Sequence, residues 1–153
     1  MINKIVVEGP NNVGKTTLIN KLKQLDAFKD WDVVHMSEKS PCSYDYFDEL
    51  FSSDTKMIFD RAHLGEAVYS ELYGRPPKMT VDEIMKLTEK YKHNILYLKV
   101  DADTRFIIKG YNSKGEENQI NLFAIYDEKN LFNGLFTGVE SISDTNVIKI
   151  YNS

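Results

Sequence analysis

The chain has 153 residues, 42% of them hydrophobic and 27% charged, with a formal net charge of -4. That composition excludes a fibrous or disordered chain and fits one globular domain, 1–153, with a real core. The single cysteine, Cys42, cannot close an internal disulfide, and no apolar run is long enough to span a bilayer or serve as a signal sequence. The acidic balance argues against a broad surface for polymeric nucleic acid but leaves small anionic ligands open. A cytoplasmic location without a membrane partner is expected, and a homodimer is compatible with everything in the composition.

The first element predicted is a buried strand over Lys4–Val7, followed by EGPNNVGKTTL and a helix over Lys15–Leu25. Gly9 and Gly14 let the backbone approach a ligand closely, so that consecutive N–H groups from Asn11, Asn12 and Val13 through Gly14 to Thr17 can cradle phosphate oxygens. Lys15 brings a mobile cation to the β and γ phosphates, and the Thr16 hydroxyl suits a bridging Mg2+. Gly9, Asn11, Asn12, Val13, Gly14, Lys15, Thr16 and Thr17 are therefore the candidate ATP-binding residues. A chance glycine turn is the bland alternative, and the flanking strand and helix count against it.

Next come a strand over Asp32–Met36, the loop SEKSP carrying Glu38, and a helix over Tyr44–Phe51. Tyr44, Phe47 and Phe51 recur at helical spacing and read as core. A strand over Lys56–Phe59 runs into Asp60, Arg61 and a helix over His63–Tyr73. Asp60 would then sit at the carboxyl edge of a sheet, placed for Mg2+ or its waters, with Arg61 beside it for a second anion. Arg75, ahead of two prolines, reads as solvent-exposed. A helix over Val81–Tyr91 and a strand over Asn94–Val100 follow.

The stretch Asp101–Glu117 has a broken apolar pattern with Arg105, Lys109, Lys114 and two glycines, and is predicted to be a mobile flap. A helix over Asn118–Phe132 and a strand over Asn146–Ile150 close the chain. Five strands alternating with helices predict an α/β fold, a three-layer arrangement with a five-stranded parallel sheet flanked by helices.

Two motifs carry a family resemblance. EGPNNVGKTT is similar to the opening of thymidylate kinases and deoxynucleoside kinases, where a glutamate precedes the phosphate loop. MIFDRAHLGEAVYSELYGR resembles the DRY…S..AYQ signature of thymidylate kinases, with Asp60, Arg61 and Tyr69 at matching positions and Ala62, Gly65 and Ser70 departing from it. The resemblance implies a P-loop nucleotide kinase with ATP and Mg2+ as cofactors, a small nucleotide as acceptor, and a lid closing over both. It is short for such a kinase and is similar to the minimal enzymes phages encode.

On that basis Lys15, Asp60, Arg61 and Arg105 are the candidate catalytic residues. Thr16 and Asp60 are the metal-binding pair, Glu38, Arg61, His63 and Tyr69 would line the acceptor, and Arg105, Lys109 and Lys114 would be the lid cations. A monophosphate acceptor is expected. A nucleoside hydroxyl acceptor would instead require Glu38 as proton acceptor. A small GTPase is unlike this chain, which lacks DxxG after Asp60 and an NKxD motif, and a non-catalytic nucleotide-binding module is the remaining rival.

Overall fold

A computed structural model describes all 153 residues. The elements run β1 (Lys4–Glu8), α1 (Lys15–Gln24), β2 (Asp32–His35), α2 (Tyr44–Ser52), β3 (Met57–Asp60), α3 (His63–Leu72) and α4 (Val81–Lys90). They continue with β4 (Ile95–Ala102), α5 (Thr104–Ser113), a 3-10 turn at Glu117–Gln119, α6 (Leu122–Glu140) and β5 (Asn146–Asn152). All five strands are parallel in the order β2-β3-β1-β4-β5.

Strand β1, KIVVE, is buried at every position, as a central parallel strand covered on both faces must be. One face packs Val6, Phe59 and Tyr97 against α2, α3, α4 and α6, where Phe47 and Phe51 complete the stripe expected of α2. The other packs Ile5, Val7 and Ile58 against α1 and α5 through Ile19 and Ile107, with Trp31 closing the edge. Helix starts are set by local chemistry: Ser43, Asp103 and Asn121 each accept a bond from a first-turn N–H, and Thr80 with Glu83 forms a reciprocal capping box.

The expected elements are present with end shifts of a residue or two, apart from the segment after β4. Asp101–Glu117 is not an irregular flap. Asp101 and Ala102 still pair with β5, Asp103 is the N-cap, and Thr104–Ser113 form α5, whose Ile107 is buried in the core. The helix expected over Asn118–Phe132 begins at Leu122 and runs to Glu140. No helix is long and apolar enough to cross a membrane.

Strand order reverses about β1, whose neighbours β3 and β4 carry the chain to opposite sides, and ligands in open parallel sheets bind at the carboxyl ends beside such a reversal. Register places Val7 opposite Asp60 and His35 opposite Asp60, so the ends of β1, β2 and β3 lie together.

Candidate nucleotide-binding site

The loop between β1 and α1 is shaped by two glycines. A Cβ on Gly9 would lie 1.9 Å from the Val100 carbonyl oxygen, so the loop passes over β4 at a distance only glycine permits. Gly14 has φ +99° and directly precedes α1, where the free N–H groups of the first turn and the helix dipole favour an anion. Asn152 on β5 donates to the Val13 carbonyl at 2.7 Å and ties the loop down. Lys15 is buried, its Nζ 2.8 Å from the Pro10 carbonyl, and burial, with Arg61 nearby, pushes its ammonium down to about 7.

Lys15, Thr16, Thr17 and Asp60 line one cleft together with Asn11, Asn12 and Gly14. A threonine hydroxyl and one carboxylate are hard oxygen donors that suit Mg2+, which takes its other ligands from phosphate and water. No group of three or more His, Cys, Asp or Glu side chains is placed to hold a metal ion.

A second cleft lies on the other side of Arg61. Glu38, Tyr69, Tyr73, Glu66 and Arg75 line it, and Asn11 and Arg61 belong to both clefts. Arg61 has φ +65°, a left-handed conformation that costs a non-glycine residue roughly 1–2 kcal/mol, the kind of local strain found at functional sites. Its Nη1 donates to the Gly9 carbonyl and its Nη2 to Asn11 Oδ1, both at 2.9 Å, and its guanidinium stacks 4.6 Å from the centre of the Tyr69 ring. Tyr69 itself is tucked under Tyr73, ring centres 5.8 Å apart.

Several expected residues take other places. His63 is fully buried in an aromatic box of Phe47, Phe51 and Tyr97, with Nε2 3.0 Å from Thr88 Oγ1, and burial pushes its pKa down to about 3. It faces the core rather than the acceptor cleft, because the first turn of α3 points that side chain toward α2 and α4. Arg75 is not free in solvent: it pairs with Glu66 at 2.5 and 3.2 Å.

The three cations expected in a lid divide. Lys114 lines the phosphate-loop cleft and donates to Asn12 Oδ1 at 2.6 Å, whereas Arg105 and Lys109 line a separate shallow depression on the outer face of α5. The helical spacing of α5 turns those two away from Lys15. Lys114→Ala is accordingly expected to weaken ATP binding about tenfold, the size of one charge-assisted contact, while Arg105→Ala changes it by less than about twofold. Calorimetric titration of both variants checks the split.

Three carboxylates outside the expected site residues lie around the two clefts. Glu8, at the end of β1, accepts from the Ala62 and Gly65 N–H groups at 3.0 and 2.8 Å and lies 3.7 Å from Arg61. It caps α3, whose own N-cap residue, Ala62, has no side-chain acceptor. Glu66 accepts from Arg75 and from the Lys78 N–H at the back of the second cleft. Glu128 on α6 accepts from the Asn11 N–H at 2.6 Å. Glu8 was visible as the residue before the loop. Glu128 had a fainter signal, a carboxylate among Ile125, Phe132, Phe136 and Val139 on one helical stripe.

Parallel sheet, glycine-shaped loop and helix N-terminus together define the P-loop α/β class. No family model and no curated protein matches the chain. Solved structures do. It is similar to the YorR protein from Bacillus subtilis, solved in complex with phosphorylated GDP, with a TM-score of 0.78 at 20% identity over 95% of this chain and 84% of that one. It is also similar to deoxyadenosine kinase from M. mycoides. The form with the products dCMP and dCDP gives a TM-score of 0.60 at 12% identity, over 96% of this chain and 89% of that one. The form with bound dCTP gives 0.60 at 13%, over 97% and 89%. At such identities the likeness shows the fold alone, a three-layer α/β arrangement about a five-stranded parallel sheet.

Proposed function

We propose that this protein transfers the γ-phosphoryl group of ATP to a nucleoside monophosphate, in the manner of the thymidylate kinases its motifs resemble. The observation that carries the proposal is the position of Arg61, a cation common to both clefts. ATP would lie in the cleft of Lys15 and Thr16, the acceptor in that of Tyr69 and Glu38, and the two phosphates would meet at Arg61. Phosphoryl transfer needs in-line alignment and neutralisation of crowded negative charge, with little covalent help from the protein. Lys15 would follow the transferred group, Arg61 would offset the repulsion between donor and acceptor phosphates, and Tyr69 would support the guanidinium from below. Mg2+ held by Thr16 and Asp60 would supply further charge neutralisation.

A second reading has one observation in its favour. In the acceptor cleft Glu38 and Glu66 balance Arg61 and Arg75, a neutral lining that also fits an uncharged nucleoside, with Glu38 accepting the proton of its hydroxyl. Two variants separate the cases. A monophosphate kinase loses about 10²–10³-fold in kcat/KM for the acceptor in Arg61→Ala and keeps most activity in Glu38→Gln. Collapse of turnover in Glu38→Gln, together with preference for unphosphorylated acceptor, would replace the monophosphate with the nucleoside.

A further inference from the structure

Asn11 is held from two sides. Below it, the buried Glu128 carboxylate accepts from the Asn11 N–H at 2.6 Å through Oε1 and from Asn11 Nδ2 at 3.4 Å through Oε2. With its backbone N–H and one Nδ2 hydrogen directed at Glu128, the Asn11 side chain presents its oxygen to Arg61, whose Nη2 donates to it at 2.9 Å. These two contacts favour the amide orientation that accepts from a guanidinium. The base of this chain of contacts is rigid. Ile125 and Phe132, buried on the same face of α6, flank Glu128, and the adjacent Lys129 donates to the Ala102 carbonyl at 2.6 Å, fixing α6 to the end of β4.

We propose that Glu128 is a positioning residue of the transfer site, which acts through Asn11 to hold Arg61 across the boundary between the two clefts. The assignment rests on the role of Arg61 proposed above. A buried carboxylate is costly unless cations and donors surround it, and a glutamine would satisfy the Asn11 N–H alone. Glu128 stands within the field of Arg61 and Lys15 and close to Tyr69, Tyr73 and Tyr111, and burial raises its pKa against the pull of the Asn11 N–H and the two cations.

The chain has only three arginines, Arg61, Arg75 and Arg105, so guanidinium signals of the 15N-arginine-labelled protein can be assigned by substitution. Slow guanidinium rotation is expected for Arg61 and for Arg75, which Glu66 holds, and fast rotation for the exposed Arg105. Glu128→Ala and Asn11→Ala should each release Arg61 and leave Arg75 unchanged. With an active acceptor, both variants should lose about tenfold in kcat with ATP KM within about threefold of wild type, and Glu128→Gln, which still accepts from the Asn11 N–H, should recover at least half of the loss.

Asn11→Ala decides the matter if Glu128→Ala does not fold, since it removes only the surface end of the relay. Unchanged Arg61 rotation in Asn11→Ala would overturn the proposal, as would a rise in ATP KM matching the fall in kcat, the mark of a deformed phosphate loop. The labelled spectra need no acceptor. An empty acceptor screen would refute the kinase reading and leave the relay still decided by rotation.

Discussion

Lys15→Ala is expected to reduce turnover by about 10²-fold or more, the usual loss for one preorganised electrostatic contact in the transition state. The fold should survive, because Lys15 makes one hydrogen bond, to the Pro10 carbonyl inside its own loop, and its burial opposes its charge. The same residue is expected to govern the pH dependence of ATP binding. In the free protein its pKa lies at about 7, and a bound triphosphate replaces lost hydration with opposite charge, which raises it.

A pKa higher in the complex than in the free protein means that binding takes up a proton above about pH 7 and none well below it. ATP affinity is therefore full on the acid side of 7 and falls by up to about tenfold per pH unit as pH rises above it. Calorimetry at about pH 8 in two buffers of different ionisation enthalpy should register the uptake of close to one proton in the wild type and none in Lys15→Ala. A proton count unaltered by the substitution would place the titrating group elsewhere.

Glu8→Ala should damage stability and chemistry together. Its Oε2 holds the N–H groups of Ala62 and Gly65 in a fully buried setting, and its Oε1 faces Arg61. Burial raises the Glu8 carboxyl pKa, and the Arg61 charge and those two N–H groups pull it back. Removing the carboxylate leaves two buried donors without partners, for a loss of about 2–4 kcal/mol and a fall in Tm of about 5–12 °C. Arg61, no longer held from β1, should lose acceptor kcat/KM about tenfold or more at temperatures where the variant is folded. Glu8→Gln keeps one acceptor for the N–H pair and should recover most of the stability but less of the activity. Thermal denaturation alongside acceptor kinetics distinguishes these effects, and equal loss of both quantities in Glu8→Gln would contradict the division.

Much of this was legible in the chain because period and punctuation agreed. The all-buried KIVVE, the glycines at 9 and 14 and the Pro76-Pro77 break each admit few structures, and the sheet, the loop and the boundary before α4 followed from them. The α5 helix escaped because TRFIIKGYNS mixes β-branched residues and a glycine into its pattern, properties that lower helix propensity. Its formation depends on Ile107 reaching the core and on the Asp103 cap, and only tertiary packing reveals the first. His63 followed Asp60 closely enough to suggest a shared cleft, but a helix turns roughly 100° per residue, and its first turn carried that ring into the core. The roles of Glu8, Glu66 and Glu128 were hidden for a related reason. A carboxylate becomes interpretable only when its partners are known, and here those partners lie 54, 9 and 117 positions away in sequence.

The most direct test of the central claim is transfer from γ-labelled ATP, with Mg2+, to a panel of nucleosides and nucleoside monophosphates, using the pure protein with Lys15→Ala as the blank. Label is expected in at least one nucleoside diphosphate, at a rate about 10²-fold or more above the blank. No label in any acceptor, with ATP still bound, would contradict it and leave a nucleotide-binding module on a kinase fold.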